Sequence, residues 1–109
     1  MRILIVGAGA IGGYFGGRLL EAARDVTFLV RPGRAQELDR DGLVVRSPLG
    51  NIDYPAPPHI ASQELNGPYD LILLSCKAYD LDAAMDSFAA AVGPDTAILP
   101  LLNGMAHVD

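Results

Sequence analysis

The chain has 109 residues, a length that fits one domain and is too short for most two-domain enzymes. Half of its residues are hydrophobic and 19% are charged, a composition that excludes a disordered, solvating segment. The net charge of −5 argues against a protein that coats nucleic acid. Residues 1–50 nevertheless carry seven arginines, so a small anion would find positive partners there, although ordinary surface solubilisation also accounts for this distribution.

The sequence contains few signals of a cellular compartment or of a metal site. The single cysteine, Cys76, cannot form an internal disulfide, and the apolar run at residues 3–6 is too short for a secretory signal. No apolar stretch approaches the roughly 20 residues of a spanning helix, so the sequence predicts a cytoplasmic protein without a membrane partner. His59 and His107 are too isolated in the sequence to suggest a metal site.

Strand-like and helix-like patterns alternate from the first residues onward. Residues 2–6 and 26–30 are short apolar runs that predict buried parallel strands. Between them a helix is predicted over residues 10–24, because apolar residues recur there at steps of four, four and three. Its predicted buried face consists of Ile11, Phe15, Leu19 and Ala22. Residues 34–40 then predict a short polar helix.

The second half begins irregularly and then repeats the alternation. Two short strands are predicted at residues 43–46 and 52–54, and another brief one at residues 59–62. A buried strand over residues 70–75, a helical stripe from Leu81 to Val92 with Met85 and Phe88 in the core, and a final strand over residues 96–102 follow. This order predicts an α/β fold with a doubly wound, mostly parallel sheet and no domain boundary within residues 1–109.

A glycine-rich motif lies between the first strand and the first helix. It reads G-x-G-x-x-G, and its strand–turn–helix context is what gives the pattern meaning. In a Rossmann-type sheet the first glycine allows a tight turn, the second lets a pyrophosphate approach, and the third lets helix and strand pack closely. The predicted dinucleotide-binding residues are therefore Gly7, Ala8, Gly9, Ala10, Ile11 and Gly12. Three further glycines at positions 13, 16 and 17 also suggest close approach, and tight packing of the helix on its own sheet is the alternative explanation.

The residue after the second strand indicates which dinucleotide binds. NAD-binding domains place an acidic residue there to bind the ribose 2′-hydroxyl, whereas this chain has Arg31, with Arg34 three residues later. Asp25 stands before the strand and not after it. A guanidinium suits a 2′-phosphate through charge-assisted hydrogen bonds, so Arg31 predicts NADP as the cofactor, with Arg34 as a lesser contributor. A solvated loop arginine is the alternative.

Two later strands also end in polar residues. Lys77, the only lysine, follows the strand over residues 70–75, and Asn103 follows the last strand. Ligands of open α/β sheets collect outside the carboxyl ends of the strands, so both side chains are expected to face the nicotinamide half of a dinucleotide. Each residue also fits an ordinary solvated loop or turn.

These motifs in combination resemble the ketopantoate reductase (2-dehydropantoate 2-reductase) family, specifically its N-terminal NADPH-binding domain. The resemblance rests on GAGAIGGYFGGRL from Gly7, VRPGRA from Val30, LLSCKAYDLDAAM from Leu73 and PLLNGM from Pro100. It implies that NADPH reduces the ketone of 2-dehydropantoate to pantoate, in the route to pantothenate and coenzyme A. It also implies that Lys77 contacts the cofactor near the nicotinamide and that Asn103 hydrogen-bonds both ribose and substrate.

The resemblance also implies a missing part. Family members carry a helical C-terminal domain that supplies the lysine acting as general acid and most substrate contacts, and this sequence stops shortly after Met105. We therefore expect no catalytic residue in the chain itself, which on its own should be inactive. Two alternatives remain, a stand-alone dinucleotide-binding module and the cofactor domain of a reductase for another small 2-oxo acid. The apolar last strand is expected at a sheet edge, where homo-oligomers could form.

Overall fold

A computed structural model describes residues 1–7, 10–48, 50–75 and 81–101. Strands and helices alternate through these ranges, with short 3₁₀ turns at Ser62–Glu64 and Ala89–Ala91. The elements are β1 (Arg2–Val6), α1 (Ala10–Glu21), β2 (Asp25–Leu29), α2 (Pro32–Asp41), β3 (Leu43–Ser47), β4 (Gly50–Tyr54), β5 (His59–Ile60), β6 (Leu71–Leu74), α3 (Leu81–Phe88) and β7 (Ala97–Pro100). No helix in the described ranges is long and apolar enough to cross a membrane.

The main sheet has five strands in the order β5-β2-β1-β6-β7, and its neighbouring strands are parallel. The predicted α/β fold with a doubly wound parallel sheet is confirmed. The chain runs outward from β1 through β2 to β5, and then crosses to β6 and β7 on the other side of β1. This reversal opens a crevice at the carboxyl ends of β1 and β6, where ligands of such sheets bind. β3 and β4 form a separate antiparallel hairpin.

The core lies on both faces of the sheet, as the uninterrupted apolar run of β1 predicts. Ile3 and Ile5 belong to one buried cluster, together with residues of the β3–β4 hairpin, and Leu4 and Val6 belong to another, together with Phe88 of α3. Successive residues of a strand point to opposite faces, so β1 contributes two side chains to each cluster. This burial fixes β1, and therefore the glycine turn that follows it, at the centre of the fold.

The buried face of α1 differs from the predicted one. Phe15 is 42% exposed, and Ala22 is exposed beyond the end of the helix at Glu21. The inward positions are occupied mainly by glycines, at positions 12, 13, 16 and 17, with Leu20 as the large buried side chain of the helix. Large side chains of the sheet and the hairpin fill the space beneath the helix, so the helix approaches closely only where it has no side chain of its own.

Several predicted boundaries also needed correction. The strand predicted at residues 59–62 is limited to His59–Ile60, and the last helix ends at Phe88 in a 3₁₀ turn. Phe88 is buried as predicted, but Met85 is 48% exposed and does not belong to the core. The final strand, Ala97–Pro100, lies at the edge of the sheet with all four residues exposed, which confirms its predicted edge position.

Candidate functional site

The first glycine of the motif forms a turn that few other residues could adopt. Gly7 follows β1 with a φ of +95°, a region that favours glycine, and its N–H donates a hydrogen bond to the carbonyl of Leu29 at 2.9 Å. A Cβ at this position would lie 3.0 Å from the carbonyl oxygen of Ser75. Ala8 and Gly9 lie outside the described residues, and the chain is described again from Ala10, where α1 begins.

The third glycine of the motif contacts a neighbouring strand end. The N–H of Gly12 donates a hydrogen bond to Ser75 Oγ at 3.1 Å, and a Cβ on Gly12 would lie 2.7 Å from Ser75 Cβ. The predicted close packing at Gly12 is therefore packing against Ser75, which follows β6. Ser75 is not among the site residues that the sequence predicts. A hydroxyl at the end of the strand adjacent to β1 was the available signal.

Arg31 lies at the same edge of the sheet. It is the exposed residue that precedes α2, with extended backbone angles, and Pro32 occupies the first helical turn, where proline is favoured. It stands two residues after Leu29, whose carbonyl accepts the hydrogen bond from Gly7. The strand ends of β1 and β2 thus bring the glycine turn and Arg31 to one side of the crevice.

No acidic residue of β2 takes the position expected for NAD. Asp25 stands opposite Arg2 in the strand register, at the amino end of β2. It lies four residues before Leu29, a distance of about 13 Å along the strand. Arg34, one turn into α2, lies 3.6 Å from Glu37, so part of its charge is already compensated. Arg31 is therefore the better placed of the two arginines for an anion.

The remaining predicted site residues cannot be placed. Lys77 and Asn103 lie outside the described residues, as does Cys76, although the strands before them end on the same edge as β1. A carboxyl group with a shifted pKa lies away from this edge, at the end of α2. There a hydrogen bond from Arg40 lowers the pKa of the exposed Asp41 carboxyl below its ordinary value.

Comparison with known proteins identifies the family. A family profile described as ketopantoate reductase PanE/ApbA matches residues 3–109. This chain belongs to the ketopantoate reductase family. Ketopantoate reductase relatives include the 2-dehydropantoate 2-reductase of Pyrococcus horikoshii, which is 35% identical over 98% of this chain and 34% of its own length. An uncharacterized oxidoreductase of Bacillus subtilis, YkpB, is 40% identical over the whole chain and 35% of its own length. The chain thus spans about a third of the length of these two relatives.

Solved structures of ketopantoate reductases and related enzymes share the fold. A 2-dehydropantoate 2-reductase from Geobacter metallireducens is 33% identical, with a TM-score of 0.78 over 94% of this chain and 34% of that one. A D-mandelate dehydrogenase solved with NADH and anilino(oxo)acetate is 28% identical, with a TM-score of 0.79 over the same shares. The predicted ketopantoate reductase resemblance is confirmed, and the family is one of oxidoreductases. The mandelate dehydrogenase shows that this fold also occurs with NADH and a different small acid.

Proposed function

We propose that residues 1–109 form the NADPH-binding part of a cytoplasmic reductase that converts 2-dehydropantoate to (R)-pantoate, in pantothenate and coenzyme A biosynthesis. The names of the curated relatives support the substrate, since several are 2-dehydropantoate 2-reductases. The reaction adds a hydride to the carbonyl carbon and a proton to its oxygen. The contribution of this chain is to bind and orient the nicotinamide cofactor.

The glycine turn fits a dinucleotide in shape and in charge. Gly7 has the backbone angle of a tight turn, and the first turn of α1 begins directly beyond position 9 at the crevice between β1 and β6. A helix N-terminus presents N–H groups and a partial positive charge, which suit a pyrophosphate. No acidic side chain within the described residues 2–7 or 10–20 opposes that charge.

Arg31 determines the preference for NADPH over NADH. Its exposed guanidinium stands at the end of β2 and at the start of α2, where a 2′-phosphate would meet both a full positive charge and the positive end of a helix. NADH lacks that phosphate and gains little from either. Because a related structure contains NADH, the preference has to be measured and cannot be transferred from the family.

A titration of wild-type and variant chains with both cofactors tests this choice. Arg31→Ala should weaken NADPH binding about ten- to a hundredfold, since it removes a charge-assisted hydrogen bond, and should leave NADH binding nearly unchanged. Arg24→Ala is the matched control, because it removes an equal and exposed charge from the opposite end of β2. Equal losses for both cofactors on Arg31→Ala, or an NADPH loss on Arg24→Ala, would contradict the assignment.

Lys77 and Asn103 complete the proposal through the family resemblance. Lys77 would contact the cofactor on its nicotinamide side, and Asn103 would hydrogen-bond the cofactor ribose and the small 2-oxo acid substrate. An amide has both a donor and an acceptor, which suits a position between two ligands. Asn103→Asp keeps the size and removes the donor, so it should weaken substrate and cofactor binding together in the complete enzyme.

The 109-residue chain alone should bind NADPH without efficient turnover. In the family the lysine that protonates the developing alkoxide belongs to the helical domain, and this stretch contains only Lys77. NADPH oxidation with 2-dehydropantoate should therefore stay far below an ordinary enzyme rate of about 1 s⁻¹. A rate of that order from residues 1–109 would show that Lys77 or another residue here serves as the acid.

Self-association through the last strand is also part of the proposal. β7 lies at the sheet edge with Ile98 43% and Leu99 52% exposed, and such an apolar edge favours pairing with another chain. Sedimentation of the 109-residue chain should show association that Leu99→Lys reduces. A wild-type chain that stays monomeric at high concentration would rule out this edge as an interface.

A stand-alone dinucleotide-binding module is the second candidate function. Turnover after adding a separately expressed helical domain would favour the reductase. Tight NADPH binding without turnover in any such combination would favour the module. A reductase for another small 2-oxo acid would bind NADPH equally well here and would be identified by a substrate panel on the complete enzyme.

A further inference from the structure

We propose that Ser75 is a positioning residue for the dinucleotide site, because its hydroxyl caps the first turn of α1 from the neighbouring strand and holds the glycine turn in its binding shape. This inference rests on the proposed function, since the turn matters for activity only if a dinucleotide binds there. Ser75 itself lies half-buried at the end of β6, beside the crevice.

The hydroxyl of Ser75 replaces the capping side chain that the glycine motif lacks before α1. The first N–H groups of a helix have no partner within the helix, and a Ser, Thr, Asp or Asn just before the helix usually accepts one of them. Here the residue before Ala10 is Gly9, which has no side chain to offer. Ser75 Oγ instead accepts the hydrogen bond from Gly12, the third residue of α1, at 3.1 Å. This is the N–H that a side chain at position 9 would ordinarily bind.

The backbone of Ser75 also holds the other end of the turn. Its N–H donates a hydrogen bond to the carbonyl of Val6 at 3.2 Å, and its own carbonyl leaves only 3.0 Å for a Cβ on Gly7. The register of β1 and β6 sets Leu74 opposite Val6, so the next residue necessarily stands beside Gly7. One residue therefore contacts both Gly7 and Gly12, the two ends of the motif.

In this arrangement Gly12 does not donate its N–H to the anion. Because its N–H is already bound to Ser75, Gly12 contributes to the site by allowing close approach. The pyrophosphate is common to NADPH and NADH, so loss of the cap should weaken both cofactors alike. Arg31→Ala, in contrast, should affect NADPH alone, and the two effects can be told apart.

The test compares Ser75→Ala, which removes the hydroxyl, with Ser75→Thr, which retains it. Ser62→Ala is the matched control, because Ser62 is exposed in a 3₁₀ turn after β5, a strand that β2 separates from β1. Ser75→Ala should weaken NADPH and NADH by a similar factor, about five- to tenfold for one lost hydrogen bond. The Gly12 amide of the cofactor-free chain should exchange faster in the same variant, as followed by NMR. Ser75→Thr should restore both properties, and Ser62→Ala should change neither.

A second pair of variants tests the same contact from the side of Gly12. Gly12→Ala should clash with Ser75, and adding Ser75→Gly removes both side-chain atoms that it would meet. The double variant should therefore melt at a higher temperature than Gly12→Ala alone and still bind cofactor more weakly than the wild type. No recovery in the double variant would overturn the proposed contact.

The outcomes also distinguish this inference from the proposed function. If the wild type binds neither cofactor, the proposed function fails, and faster Gly12 exchange in cofactor-free Ser75→Ala still decides in favour of the cap. If the wild type binds both cofactors, and Ser75→Ala binds each as tightly as the wild type does and keeps its Gly12 amide protected, only the inference fails. A loss confined to NADPH would also overturn it.

Discussion

The two halves of α1 use glycine for different purposes. At the start of the helix, Gly12 approaches a polar residue at the crevice, with its N–H bound to Ser75 Oγ at 3.1 Å. About one turn later the neighbours are apolar and deep in the core. A Cβ on Gly16 would lie 2.6 Å from Phe28 Cε1, and one on Gly17 would lie 2.5 Å from Ile52 Cγ2. The early glycine serves the site, and the later two serve the fold.

This difference separates two explanations that the sequence left open for the glycine-rich helix. Close approach to a ligand and tight packing of the helix on its own sheet both call for glycine. The structure assigns packing to Gly16 and Gly17, because Phe28 and Ile52 are fully buried in the cluster beneath α1. If residues 7–12 bind the dinucleotide, as proposed, substitutions along the helix should change from binding effects near Gly12 to stability effects at Gly16 and Gly17.

The largest contrast is expected between Gly9→Val and Gly16→Val. Gly9→Val should abolish dinucleotide binding while the domain stays folded, since the motif reserves that position for the pyrophosphate. Gly16→Val should cost about 3 kcal/mol or more of unfolding free energy, because the added carbons meet Phe28 and Ile5 in a filled core. Urea unfolding and cofactor titration on the same samples measure both effects.

A reversed pattern would break the comparison between the two halves. If Gly9→Val melted far below the wild type and still bound cofactor, Gly9 would be a folding residue. If Gly16→Val kept its stability and lost only binding, the middle of α1 would belong to the site.

An intermediate effect is expected from Gly17→Ala, and Ile52 provides its control. The Cβ of the variant would meet three side-chain carbons of Ile52, the nearest at 2.5 Å, so a loss of about 1–3 kcal/mol is expected. Ile52→Ala alone should also destabilise, because it empties a buried site. In the double variant the total loss of unfolding free energy should be smaller than the sum of the two single losses, because Ile52→Ala removes the atoms that Gly17→Ala clashes with. Strict additivity in urea unfolding would show that α1 and the hairpin do not meet there.

The fold could be predicted well from local patterns, because parallel strands buried on both faces leave uninterrupted apolar runs. β1, β2 and β6 follow from such runs within one or two residues. The inward face of α1 could not be predicted from apolar spacing, which favoured Phe15 over Gly16. Glycine has no hydropathy signal of its own, and the large side chain that it accommodates, Phe28, belongs to a different element.

The candidate site could be predicted in part, for a similar reason. The glycine motif and Arg31 are local signals, and each lies next to a strand end that can be found by its composition. Ser75 became significant only through strand order, because β6 stands beside β1 although more than 60 residues separate Gly12 from Ser75. Pairing between distant strands leaves no short-range motif, so a residue that acts across the sheet is missed.

The smallest expected effect concerns Gly33, which belongs to neither class of glycine in α1. It lies in the first turn of α2, two residues after Arg31, and a Cβ there would meet no heavy atom within 4 Å. Gly33→Ala should therefore raise the unfolding free energy by about 0.4–1 kcal/mol, since alanine restricts the unfolded chain and favours the helix. NADPH affinity should not change if the Arg31 side chain alone reads the 2′-phosphate. A stabilised variant that binds NADPH less tightly, with NADH unaffected, would mean that the phosphate also approaches the backbone at position 33. Gly33 would then join Gly9 among the glycines kept for the ligand.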